Sequence, residues 1–105
     1  MNPWILLFIA GLLEIVWALG FKYVGQGSPW WHYSLVYSSM GASFFLLVQA
    51  LKVLPAGTAY AVWTGTGAVG VAIIGILFFN EPSSIIRIAC IALIVAGIVG
   101  LKLSA

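Results

Sequence analysis

The residue with the greatest potential for chemistry in this chain is Glu14, an acid midway along an apolar run that covers residues 3–21. A charged side chain at the centre of a bilayer costs at least ~2.5–3.5 kcal/mol, so it persists where it faces a protein interior or a wet cavity. Burial disfavours the charged form of a carboxyl unless a cation lies beside it. A carboxyl at that depth therefore holds either a proton or a cation, and binding one expels the other.

Helical spacing places two further residues on the face that carries Glu14. Gly11 leaves room for a ligand beside the carboxylate, and Trp17 supplies an aromatic surface one turn away. In the third apolar run of the chain, Tyr60 and Trp63 share a face in the same way. Taken alone, either tryptophan is also consistent with ordinary packing.

Residue counts from the membrane surfaces place Glu14, Ser43 and Trp63 at comparable depths, roughly 16, 12 and 10 Å at 1.5 Å per helical residue. Tyr60 lies one turn shallower. This set suits a small organic cation, because a carboxylate accepts two parallel N–H bonds from a planar guanidinium and aromatic faces attract cations. We expect Ser43 and Tyr60 to orient the carboxylate, although a serine in a helix more often bonds to its own backbone.

Four apolar stretches of about 20 residues, the length of a bilayer-spanning helix, account for nearly the whole chain. The 105 residues are 64% hydrophobic and only 6% charged, and the mean hydropathy is +1.20. A soluble domain needs a polar shell that so few charges cannot supply. The prediction is an all-α membrane protein, a single four-helix transmembrane domain over residues 1–105 with spans at about 3–21, 31–51, 57–79 and 85–103.

Several function classes find no support in the composition. The chain has no Ser, His and acid set and no cluster of metal ligands, so we expect no enzyme, no cofactor and no metal site. The net charge of +2 is too small and too scattered to indicate nucleic acid. Cys90 is the only cysteine and cannot form a disulfide within the chain.

Residues 65–70 match the dinucleotide-binding pattern G-x-G-x-x-G, but they lie inside an apolar run with no strand before them. We interpret Gly65 and Gly67 as a conformational hinge that lets the third helix kink between outward-open and inward-open forms. The alternative is that Gly67, Gly70 and Gly75 simply permit close packing.

The fourth apolar run carries a row of small residues. Cys90, Gly97 and Gly100 are separated by seven and then three positions, and small side chains let helices approach closely in lipid. Four helices of this length enclose little space alone, so we expect this row to provide dimer packing against a second copy of the chain. The ordinary glycine content of a membrane helix explains the row equally well.

The basic residues divide evenly between the two sides of the membrane. Lys52 and Lys102 fall on the side of the two termini, and Lys22 and Arg87 fall on the other side. The excess of Lys and Arg that normally sets orientation is therefore missing. We expect the chain to insert in both orientations, and the natural dimer is then antiparallel, with two copies of Glu14 near one midplane site.

The residues that carry these features resemble the small multidrug resistance family over essentially the whole chain. The matching segments are residues 13–18 (LEIVWA) followed by Lys22 and Tyr23, residues 54–65 (LPAGTAYAVWTG) and residues 97–102 (GIVGLK). Within that family, Trp17 together with residues 57–60 (GTAY) is similar to the guanidinium-exporter subtype.

The resemblance implies a proton-coupled antiporter for guanidinium cations that works as an antiparallel homodimer among the lipids of the inner (plasma) membrane. It implies that Glu14 binds both protons and substrate. The residues that it implies as the lining of the site are Gly11, Trp17, Ser43, Tyr60 and Trp63. Two alternatives stay open, namely a broader exporter of quaternary ammonium and other drug cations, and a membrane assembly subunit that transports nothing.

A reporter tag at the C-terminus is expected on both sides of the membrane in cells, because the Lys and Arg counts supply no bias. Paired reporters, one active only in the cytoplasm and one active only outside it, measure the two populations. A C-terminus found on one side alone would contradict dual topology.

Overall fold

The computed structural model describes residues 2–25 and 27–104, which form four α-helices. The helices are α1 (Pro3–Tyr23), α2 (Trp30–Leu51), α3 (Ala56–Phe78) and α4 (Ile85–Ser104). Each is long and apolar enough to cross a membrane, and the described residues contain no strand. The prediction of an all-α, multi-pass membrane protein is confirmed. The first helix continues beyond the apolar run to Tyr23, so Lys22 lies in its last turn.

Local chemistry explains where α1 begins and how it connects to α2. The Asn2 side chain caps α1 by accepting a hydrogen bond from the Trp4 amide at 2.8 Å. In the connection, Gly27 adopts a positive φ of 92°, a conformation that favours glycine. The Tyr33 hydroxyl closes this loop by donating to the Gly25 carbonyl at 2.8 Å.

An ion pair holds the connection between α3 and α4. Arg87, in the first turn of α4, donates from Nη2 to Oε1 of Glu81 at 2.6 Å, and both side chains are partly exposed. The Glu81 carboxyl lies over Gly75, where a Cβ would collide with it. The connection is therefore held against the end of α3.

The first helix lies between α2 and α3 and packs against both of them. The buried core forms where these three helices meet, toward the membrane side that carries the α2–α3 connection. Its members are Leu7, Ala10, Leu47, Ala50, Ala59, Val62 and Trp63.

The fourth helix lies at the edge of this arrangement, and its partly buried Ile98 and Leu101 pack against the core. It packs against α3, and none of its described residues is buried. At its C-terminal end, Nζ of Lys102 lies 5.0 Å from the ring centroid of Trp4 on α1. Cys90, Gly97 and Gly100 are all exposed, so the outer surface of α4 is open to lipid or to another protein chain.

Candidate functional site

Glu14 lies on α1 with its carboxyl group against the backbone of α3. It is partly buried, and its Oε1 is a buried atom with no hydrogen-bond partner in residues 2–25 and 27–104. Directly opposite lies Gly67, where a Cβ would collide with the carboxyl group. A glycine at this position therefore lets α3 approach the acid closely.

The same helix crossing determines the surroundings of Gly11. A Cβ at Gly11 would lie 2.6 Å from Cγ2 of Thr66, so the Thr66 methyl fills this space. Near Glu14 the glycine belongs to α3 and the larger side chain to α1, because Ile15 of α1 fits against Gly70 of α3. The visible role of Gly11 is thus helix packing, and the expectation that it leaves room for a ligand stays a prediction.

Ser43 joins three helices through two hydrogen bonds. It lies on α2 and is fully buried, with an exposure of 0%. Its hydroxyl donates to the carbonyl of Ala10 on α1 at 2.7 Å and accepts from Nε1 of Trp63 on α3 at 2.9 Å. Because buried polar groups are costly when unpaired, these bonds favour one relative placement of the three helices.

This placement differs from the two roles expected for Ser43, which were to orient the carboxylate or to bond its own helix. Its acceptor is the Ala10 carbonyl, one turn before Glu14, and not the carboxylate itself. Ser39 on the same helix shows the more common behaviour, because its hydroxyl donates to the Leu35 carbonyl at 2.7 Å. Ser43 therefore acts on the α1 backbone and on the Trp63 indole.

A phenylalanine links the two tryptophans of the predicted site. The ring centroid of Phe44 lies 6.0 Å from that of Trp17 and 5.4 Å from that of Trp63. Trp63 in turn lies 5.6 Å from Tyr60, a residue that is 59% exposed. Trp17, Trp63 and Tyr60 thus belong to one aromatic surface, and Phe44 completes it.

Two buried polar atoms of α1 lack a partner within the described part of the chain. They are Oε1 of Glu14, which accepts hydrogen bonds, and Nε1 of Trp17, which donates them. Among residues 2–25 and 27–104, no three His, Cys, Asp or Glu side chains gather as metal ligands would. An acid and the exposed ring of Tyr60 suit a small cation that carries N–H groups, whereas the Trp17 N–H needs an acceptor.

The glycines of α3 pack against neighbouring side chains. Gly67, Gly70 and Gly75 each face a side chain from outside α3, and a Cβ at Gly65 would lie 3.0 Å from Cδ1 of Ile98 on α4. The helix runs without interruption through all four positions. These contacts favour the packing alternative, and the hinge role of Gly65 and Gly67 stays a prediction.

Three contributors to this region were missed by sequence reasoning: the ring of Phe44, the methyl of Thr66 and the carbonyl of Ala10. Phe44 had a usable signal, because it lies seven residues after Tyr37 and shares its helix face. The other two had none, since the relative placement of α1, α2 and α3 decides their contacts.

Replacing Ser43 by alanine is expected to lower the free energy of unfolding by about 1–3 kcal/mol, because Nε1 of Trp63 is left buried without an acceptor. The matched control is Ser39→Ala, which removes a hydroxyl bonded within its own helix. Equilibrium unfolding in detergent micelles measures both losses. If Ser43→Ala lost no more stability than Ser39→Ala, the bridging role of Ser43 would be refuted.

Comparison with known proteins connects this arrangement to a family. The family model described as Small Multidrug Resistance protein matches residues 2–94. The curated protein named Guanidinium exporter from Yersinia pseudotuberculosis serotype I (strain IP32953) is 55% identical over 101 residues, which cover 96% of this chain and 97% of that protein. The proteins of the same name from Proteus vulgaris and Escherichia coli (strain K12) are each 54% identical over 101 residues, covering 96% of this chain and 97% and 96% of those proteins. The chain therefore belongs to the small multidrug resistance family.

Proposed function

We propose that this protein exports guanidinium and small substituted guanidinium cations across the inner (plasma) membrane in exchange for protons, and that both species compete for Glu14. The observation that carries the proposal is the buried, unpartnered Oε1 of Glu14, one helical turn from Trp17 on the same face of α1. Relatives that are 54–55% identical carry the name guanidinium exporter, which supports the substrate. The reaction is transport, so the proposal includes no enzymatic step, cofactor or metal.

Guanidinium meets the chemical demands of this region. It is planar and positively charged, and its N–H groups are donors without any acceptor. The Glu14 carboxylate accepts two parallel N–H bonds from it, and aromatic rings such as Trp17 and the exposed Tyr60 attract it by ~2 kcal/mol or more when water is excluded. Because the cation offers no acceptor, the Trp17 N–H does not bond to the substrate, and within residues 2–25 and 27–104 it has no hydrogen-bond partner.

The same carboxyl group accounts for exchange with protons. A cation-bound Glu14 and a protonated Glu14 each carry no net charge at the site, whereas the empty carboxylate does. An uncompensated charge inside a membrane protein is costly, so the empty form is the least suited to a change of access. The protein therefore switches from being open on one membrane side to being open on the other with a proton or a guanidinium bound. The flow of guanidinium is thus coupled to the flow of protons.

We propose further that the working unit is an antiparallel homodimer, in contact with lipid and inserted in both orientations. Every residue of the proposed site lies on α1, α2 or α3, while α4 has no buried residue among those described. Cys90, Gly97 and Gly100 are exposed on α4, and a Cβ at either glycine would meet nothing within 4 Å. This small-residue surface is where a second copy of α4 approaches closely.

Glu14→Gln is expected to abolish guanidinium-driven proton movement in liposomes, because an amide neither binds a proton in the pH range of the assay nor balances the charge of a cation. The assay imposes a guanidinium gradient on reconstituted protein and records the internal pH. Glu81→Gln is the matched control, since Glu81 is the other acidic side chain and lies in the α3–α4 connection. We expect the control to retain exchange.

The outcomes of this assay separate the alternatives. Exchange lost with Glu14→Gln and kept with Glu81→Gln supports the proposal. A response to tetraethylammonium without a response to guanidinium would assign the protein to the broader exporters of drug cations. No response to either cation would favour a membrane assembly subunit that transports nothing.

Guanidinium binding is expected to weaken as the pH falls, because a proton bound to Glu14 must leave before the cation binds. Once the free site is mostly protonated, the apparent Kd rises about tenfold for each further pH unit downward, the limit for one proton released per cation. Titration calorimetry in detergent between pH 5 and pH 9, as a rough working range, measures this slope. A Kd that does not change with pH would contradict competition at a carboxyl.

A further inference from the structure

Six aromatic rings from three helices form a continuous row that includes the proposed site and extends beyond it. In order along the row, the rings belong to Tyr60, Trp63, Phe44, Trp17, Phe21 and Tyr37. The centroids of successive rings are 5.6, 5.4, 6.0, 5.8 and 5.7 Å apart. The last two rings have no part in the site described above, and the proposed function leaves them unexplained.

The row covers roughly half of the membrane thickness of about 30 Å. Tyr60 is the fifth residue of α3 and Tyr37 is the eighth residue of α2, and these two helices begin on opposite membrane sides. At 1.5 Å per residue, the ends of the row lie about 6 Å and about 10 Å below the two surfaces. Phe21 and Tyr37 therefore lie between the depth of Glu14 and the side that carries the α1–α2 connection.

These two rings face open space. Phe21 is 40% exposed and Tyr37 is 54% exposed. The Tyr37 hydroxyl forms no hydrogen bond with residues 2–25 or 27–104. A hydroxyl without a partner is costly against hydrocarbon, so this end of the row belongs beside a space that water and small solutes reach.

No unpaired acidic side chain other than Glu14 is available near Phe21 and Tyr37, so their aromatic rings are the groups that attract a cation. Besides Glu14, the only acidic side chain is Glu81, which is paired with Arg87. Lys22 would repel a cation, but its Nζ lies toward the end of α3, 5.7 Å from the ring centroid of Phe79. Phe21, the preceding residue, lies instead toward α2.

We propose that Phe21 and Tyr37 are transit residues, whose rings pass the cation between Glu14 and the membrane side that carries the α1–α2 connection. A ring attracts a cation from up to about 6 Å, which is the size of each gap in the row. Removing Phe21 therefore leaves a gap in the series, and removing Tyr37 shortens it at the end near the membrane surface. The inference rests on the proposed function, since the cation must first bind at Glu14.

The test compares transport rate with equilibrium binding in the full-length protein. Exchange of radiolabelled guanidinium is recorded in liposomes at equal pH and equal guanidinium on both sides, and Kd and site number are measured in detergent. Phe21→Leu and Tyr37→Leu are expected to lower the exchange rate per binding site by about fivefold or more, with Kd changed by less than about twofold, because a transit group affects the barrier and not the bound state. Phe21→Tyr and Tyr37→Phe keep the rings and are expected to keep the rate.

The matched control is Phe45→Leu, which removes an exposed ring of α2 that lies outside the row. It is expected to leave both rate and Kd unchanged. Leucine variants that exchange as fast as the unsubstituted protein would overturn the transit role, and so would a Kd that rises by the same factor as the rate falls. Failure of the unsubstituted protein to exchange guanidinium would instead refute the proposed function itself.

Discussion

The site depends on one contact, that of the Glu14 carboxyl with the backbone of α3 at Gly67. An acid in a membrane helix must be shielded from hydrocarbon, and a neighbouring helix shields it best when no side chain lies between them. Similar contacts between a glycine and a larger side chain occur on both sides of this point. The crossing of α1 and α3 is therefore shaped around the acid, and a larger residue at Gly67 would displace the carboxyl or separate the helices.

The second support comes from α2, through the buried Ser43 hydroxyl that bonds to both other helices. In lipid, helices gain little from hydrophobic association, so packing and interhelical hydrogen bonds determine how they are placed. Trp63 is held by its indole N–H, whereas Tyr60 remains open at the surface. The region thus combines a rigid side, where polar groups are paired, with an aromatic side that a solute can reach.

The sequence predicted what depends on a residue and its neighbours along the chain. The number of membrane spans and the all-α class follow from the length and hydropathy of the apolar runs. The selection of Glu14 as the candidate site residue follows from the cost of a charge in an apolar run. The contacts of Ser43 and Gly11 did not follow, because a helix that is apolar on all sides does not reveal which face meets a neighbour. In soluble proteins that information comes from the polar face, which these helices lack.

The exposure of α4 bears on how the proposed antiporter would use its energy. If two identical chains pair in opposite orientations, the form open to one side is the same structure as the form open to the other side, seen from the opposite face. The two forms then have equal free energies, so the protein itself favours neither direction. The proton gradient and the guanidinium gradient would then together set the direction of guanidinium flow. An exchanger of this kind needs a dimer interface that leaves Glu14 accessible, and the exposed surface of α4, which has no buried residue among those described, is compatible with that need.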